Sequence, residues 1–149
     1  MKSLLFTVDL EEFVAREFKI DVPLAVCLEF WKKGFEQLLG VLEKHNVKAT
    51  LFTTLEFAEF CPELIKRAIA AGNELGLHAL KHEHRYAKMA DDEALKFLTE
   101  AKSKLEKMFN VEIVSFRGPQ MSRPSYSVLE KLGIKYDSSY HPTYVPGKY

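Results

Sequence analysis

"CPELIKRAIAAGNELGLHALKHEH", residues 61–84, is the stretch that decides the fold. Pro62 sits near a first helical turn, where its missing N–H is not needed, and Gly72-Asn73 ends the periodic segment. "ELGLHAL" (74–80) follows directly as an apolar run of strand length. A helix that feeds straight into a strand is half of a βαβ unit. The far end of that strand carries His78, His82 and His84, three of the chain's five histidines.

The same alternation extends in both directions. "SLLFTVDL" (3–10), "KATLFTT" (48–54), "EIVSFRG" (112–118) and "IKYDSSY" (134–140) are further strand-length runs. Leu28 to His45 carries Phe30, Trp31, Phe35, Leu38, Leu39 and Leu42 at helical steps. "DDEALKFLTEAKSKLEKMFN" opens with acids and closes with Lys104, Lys107 and Asn110, as the helix dipole favours. "RPSYSVLEKLG" reads as a short helix ending at Gly133. Four β-α units and a fifth strand predict an α/β chain with right-handed crossovers and a parallel sheet. The 149 residues are about one domain long, so 1–149 is read as one domain able to bury roughly two thirds of its unfolded surface.

Composition narrows the function. Lys plus Arg and Asp plus Glu are equal at 21 each, without a basic stripe, so nucleic acid is not an expected partner. Cys27 and Cys61 have no metal-like spacing and read as reduced thiols. "MKSLLFTVDLEEF" is apolar too briefly for a signal peptide or a membrane span, so a cytoplasmic location is expected.

In open α/β sheets, functional residues gather at the C-terminal strand ends. Asp9, Glu11 and Glu12 follow strand one, His78 and His82 follow strand three, and Arg117 ends strand four, all on one rim; Asp137 lies within strand five. His78 and His82 stand four apart. If that piece turns helically, both rings face one side and can share a divalent ion with a carboxylate from a neighbouring strand. The other reading is two loop histidines on a solvated surface. Asp9 and Glu11 share a face of strand one; a helix-capping role is the alternative, weakened because the next helix begins well beyond residue 20. Arg117 at the end of an apolar run needs a carboxylate, and Asp137 could supply it as a structural ion pair.

Taken together, "FTVDLEEF", "GNELGLHALKH", "FRGPQ" and "LGIKYDSS" resemble, in order, four motif regions of the polysaccharide deacetylase family, carbohydrate esterase family 4 and its relatives. The resemblance runs along nearly the whole chain, and the second motif with its lead-in is the most specific part. It implies an incomplete version of a distorted (β/α)7 barrel with about five strands. It implies Asp9 as catalytic base, held by Arg117, with Glu11, His78 and His82 as metal ligands. The metal would be Zn²⁺ or another divalent transition metal. The Gln120 backbone N–H would stabilise the oxyanion, and Asp137 would be a supporting carboxylate.

The implied reaction is hydrolysis of a non-peptide C–N amide bond, with an N-acetylated sugar or a small amide as substrate. Two departures stand out. Glu12 replaces the glycine that usually ends the first motif. The family's late-strand histidine, its general acid, has no counterpart before Tyr149, and His141 before Pro142 suits a loop. A shortened protein, a fragment, or a chain whose missing wall another chain supplies is therefore expected, with low activity for the isolated 149 residues. The competing readings are a metal- or carbohydrate-binding domain without turnover, and a self-associating domain. In the latter, a homo-oligomer covers the open sheet edge through "YHPTYVPGKY".

Overall fold

The computed structural model describes residues 4–11 and 22–140. Glu12, His141 and the rest of the "HPTYVPGKY" tail lie outside the described residues. Five strands form one parallel sheet in the order β1-β2-β3-β4-β5: Phe6–Leu10, Ala49–Thr54, Glu74–Ala79, Ser115–Phe116 and Tyr136–Asp137. Each strand pairs with the next in sequence, as expected when every crossover is a helix of the same hand. The helices are α1 Leu24–Lys44, α2 Leu55–Phe60, α3 Pro62–Ala70, α4 Asp91–Phe109 and α5 Tyr126–Lys131. Among the described residues no helix is long and apolar enough to cross a membrane. Cys27 and Cys61 are both free, and burial pushes the Cys61 thiol up to about 11, which keeps it protonated and inert.

Three differences from the sequence reading have local causes. Helix α1 starts at Leu24, not Leu28, because Pro23 (φ −56°) presets the chain for helix entry. The short α2 was not expected; Thr54 caps it by accepting a hydrogen bond from the Phe57 N–H at 3.2 Å. Strands β4 and β5 are two residues each, far shorter than the apolar runs that hold them. The turn at Gly118-Pro119 ends β4, where an alanine Cβ at position 118 would collide with the Ser122 carbonyl.

Alternation gives the sheet two unlike faces. Leu10, Leu51, Leu75, Leu77 and Phe116 are buried in the apolar core. That core also takes in Phe35, Leu39 and Leu42 of α1, Ile65 and Ala68 of α3, and Ala94, Leu98, Ala101, Leu105 and Phe109 of α4. The opposite face is polar. Register aligns Thr7 with Thr50 and Glu74, and Asp9 with Phe52 and Gly76. Glu74 accepts hydrogen bonds there from Thr50 Oγ1 (2.9 Å) and Ser115 Oγ (2.8 Å). Between β2 and β3 the register slips: Thr53 pairs with Leu77 but Thr54 with Ala79, so His78 is the extra residue of a bulge. Bulges bend a strand and re-aim its side chains.

The approach to β4 is pinned by Glu106 near the end of α4, which accepts from the Ile113 N–H (2.9 Å) and Lys102 Nζ (2.6 Å). Burial pushes the Glu106 carboxyl up, but these two donors outweigh it and hold the group below the ordinary glutamate value. With a depressed folded pKa, the stability from these bonds is fully present above the unfolded-state value of about 4.3 and is lost as pH falls through the lower folded value. Glu106→Ala is therefore expected to lower unfolding free energy in urea by about 1 kcal/mol at neutral pH. The gap from wild type should close in acid; a gap that does not change with pH would contradict this role.

Candidate functional site

The polar face ends, at its C-terminal rim, in two adjoining groups. The first is Glu11, His78 and His82, whose ligand atoms all lie within 4.8 Å of one another. His78 Nε2 is 2.7 Å from Glu11 Oε2, and His82 Nε2 is 3.2 Å from the same oxygen. The histidine rings are tilted by 34° with centroids 6.3 Å apart. Residues 80–83 form a bend and turn instead of the helix that the four-residue spacing suggests. The rings converge because the bulge re-aims His78 and the following turn carries His82 back over the strand end.

The tautomer of His78 follows from its other nitrogen. Nδ1 faces the Arg117 carbonyl oxygen at 2.5 Å, and a carbonyl can only accept, so Nδ1 carries the proton. In a neutral ring, Nε2 then aims a lone pair at the Glu11 carboxylate. Two acceptors at that distance require a proton or a cation between them, and the His78 side chain is only 1% exposed. Two imidazole nitrogens and one carboxylate are a usual donor set for a divalent transition metal, with coordination positions left open. An imidazole oriented by a backbone carbonyl is the usual support for such a ligand. The residues fit a metal.

The second group is built on Arg117. Its Nη1 donates to Asp9 Oδ1 (2.7 Å), and its Nη2 donates to Thr7 Oγ1 and Ser138 Oγ (2.8 Å each). The side chain is 13% exposed, so the charge is largely removed from water and these partners are required. The carboxylate that meets Arg117 is Asp9, as the family resemblance implies, and not Asp137, the partner that the residue pattern alone suggests. Asp137 instead accepts from the Ser139 N–H at 2.9 Å, fixing its own turn, and stands 3.9 Å from Arg123 Nε. Thr7 and Ser138 are short, uncharged partners of Arg117 that a charge pattern does not mark. Strand alternation does place Thr7, two residues before Asp9, on the same strand face. Ser138, beside the more conspicuous Asp137, offered no sequence signal.

Gln120 lies in the turn after β4. Gln120 and Met121 both take the left-handed backbone (φ 50° and 58°), at a cost of about 1–2 kcal/mol for each non-glycine residue. Backbone held in this region tends to mark functional turns. The turn is anchored by Gly118 N–H donating to Ser139 Oγ (2.8 Å) and by Ala87 N–H donating to Ser122 Oγ (3.0 Å). His84 stands apart from the ligand trio. It stacks on Phe97 with centroids 4.7 Å apart, and its Nδ1 is 3.3 Å from the Tyr86 hydroxyl, which accepts from the Leu80 N–H. His84 and Tyr86 thereby brace the turn that carries His82.

Comparison with known proteins gives a consistent picture. The sequence model of the polysaccharide deacetylase family matches residues 25–136. A peptidoglycan-N-acetylglucosamine deacetylase of Bacillus cereus is 30% identical over 109 residues, 73% of this chain and 36% of the relative. The structure of the peptidoglycan deacetylase PdaC of Bacillus subtilis superposes with a TM-score of 0.66 at 19% identity, over 89% of this chain and 55% of that one. A pseudoenzyme of carbohydrate esterase family 4 from Bacillus anthracis superposes equally well, with a TM-score of 0.66 at 18% identity, over 89% and 41%. The chain thus spans about a third of the curated relative and about half of the solved structures.

The geometry makes a direct prediction about metal. Calorimetric titration with Zn²⁺ should show one site per chain. His78→Ala or Glu11→Ala should weaken it about a hundredfold or more, while Arg117→Gln, which keeps the main-chain carbonyl against His78, should leave affinity nearly unchanged. Equal affinity in wild type and His78→Ala would contradict the site.

Proposed function

Since the chain belongs to the polysaccharide deacetylase family, we propose that it is a metal-dependent hydrolase that removes the acetyl group from N-acetylated sugars. The observation that carries this reading is the meeting of Glu11, His78 and His82 around one point, beside an aspartate held by a largely covered arginine. Glu11, His78 and His82 would hold the ion, Zn²⁺ in this reading. When bound, it would supply Lewis-acid polarisation of the amide carbonyl and acidification of a water.

The chain's own residues divide the remaining work. Asp9 is the base that takes the water proton as attack proceeds. Arg117 holds its carboxylate in one orientation, donating to Asp9 Oδ1 at 2.7 Å. The Gln120 backbone N–H is the donor assigned to the oxyanion as charge develops on the former carbonyl oxygen. The leaving amine then needs a proton, and Asp9, protonated in the first step, is the acid that the described residues offer for that second transfer. One group serving both transfers predicts slow turnover.

That a pseudoenzyme shares the fold means the fold alone does not decide activity. The test is acetate release from N-acetylated chito-oligosaccharides. Slow release is expected with Zn²⁺, falling to background with chelator or in His78→Ala, and restored by Zn²⁺ only in wild type. Release that persists unchanged in both would remove the metal mechanism. Stoichiometric zinc with no release would leave a binding domain in place of an enzyme.

A further inference from the structure

The hydrogen bonds to Arg117 all reach the edge of its guanidinium, and one more contact fixes its face. The guanidinium carbon lies 4.5 Å from the centroid of the Phe52 ring, and Phe52 is only 2% exposed. Phe52 pairs in register with Asp9 on one side and with Gly76 on the other. Its ring leans across Gly76 toward β4. An alanine Cβ at position 76 would stand 2.6 and 2.8 Å from ring atoms Cδ1 and Cε1 and 2.9 Å from Ser115 Oγ. The missing side chain on β3 is therefore the space through which a β2 ring reaches a β4 arginine.

We propose that Phe52, seated on Gly76, is a positioning residue that sets the plane of the Arg117 guanidinium and, through it, the Asp9 carboxylate. Acceptors at Thr7, Asp9 and Ser138 fix the fork within its plane; the aromatic face below fixes the tilt of that plane, by cation–π attraction in a site with little water. Without the ring, the fork can rock away from Asp9, and a displacement of about 1 Å in a catalytic group can cost about a hundredfold in rate. Phe52 and Gly76 supply no ligand atom to the Glu11, His78 and His82 trio, so metal loading should survive their substitution. Phe52 and Gly76 look like ordinary strand residues in "KATLFTT" and "ELGLHAL", so pattern alone does not reveal this arrangement.

The proposal rests on the deacetylase reading for its kinetic part, and a double-mutant cycle separates the two. Phe52→Met keeps the volume and removes the aromatic face. It should lower kcat about tenfold or more with KM changed less than about twofold, and still bind one zinc per chain. Gly76→Ala, which displaces the ring from the other side, should do the same. In an Arg117→Gln background, Phe52→Met should have no further effect on kcat. A parallel cycle in urea should show that Phe52 and Arg117 are energetically coupled.

Additive kinetic effects in the two backgrounds, or an unchanged kcat in both Phe52→Met and Gly76→Ala, would overturn the proposal. A wild-type protein that releases no acetate would remove the deacetylase reading and the kinetic role with it. The urea cycle would then still decide whether the ring holds the guanidinium, and independent effects there would overturn that contact as well.

Discussion

A guanidinium that is largely removed from water must be paired on every side, and Arg117 is the residue on which this constraint falls. Its side chain joins Thr7 and Asp9 of β1 to Ser138 after β5, and its main-chain carbonyl fixes the His78 ring at the end of β3. Four strands are thereby held in one relation at the rim by one residue. The arrangement costs less than it would in an apolar face because that sheet face carries polar side chains, from Glu74 with Thr50 and Ser115 upward, with Phe52 the aromatic exception under the guanidinium. The other face takes the apolar burial and the helices, so the fold separates stability from chemistry by strand alternation.

The site depends equally on a local irregularity. In a regular ladder, His78 would have a partner on β2; the slip between Thr53 and Thr54 leaves it without one and bends the strand there. The following turn, braced by the Tyr86 hydroxyl under Leu80, brings His82 to the same carboxylate. Burial keeps the Tyr86 phenol well above its ordinary pKa, so the brace stays a neutral hydroxyl. The histidine pair is thus a product of bulge and turn, and its spacing of four residues is not a helical one.

Much of this was legible in the sequence. The β-α order, the parallel sheet and the gathering of Asp9, Glu11, His78, His82 and Arg117 at one rim follow from apolar runs and from where strands end. Strand alternation alone places Asp9 and Glu11 together. What sequence could not supply were facts fixed by register. The residue pattern alone offers Asp137 as the partner of Arg117; only the family resemblance implies Asp9, which lies three strands away across the sheet. The reach of Phe52 over Gly76 depends on a side chain that is absent. The brevity of β4 and β5 depends on the turn at Gly118-Pro119, where Ser122 crosses closely.

Membership in the polysaccharide deacetylase family and the ligand geometry meet in one claim: Glu11, His78 and His82 surround a single ion. X-ray absorption at the zinc edge of the loaded protein tests it most directly. Two imidazole nitrogens and a carboxylate oxygen are expected at about 2.0–2.2 Å, with the imidazole scattering reduced by half in His82→Ala. Zinc surrounded by water and carboxylates alone, with a spectrum unaffected by that substitution, would contradict it.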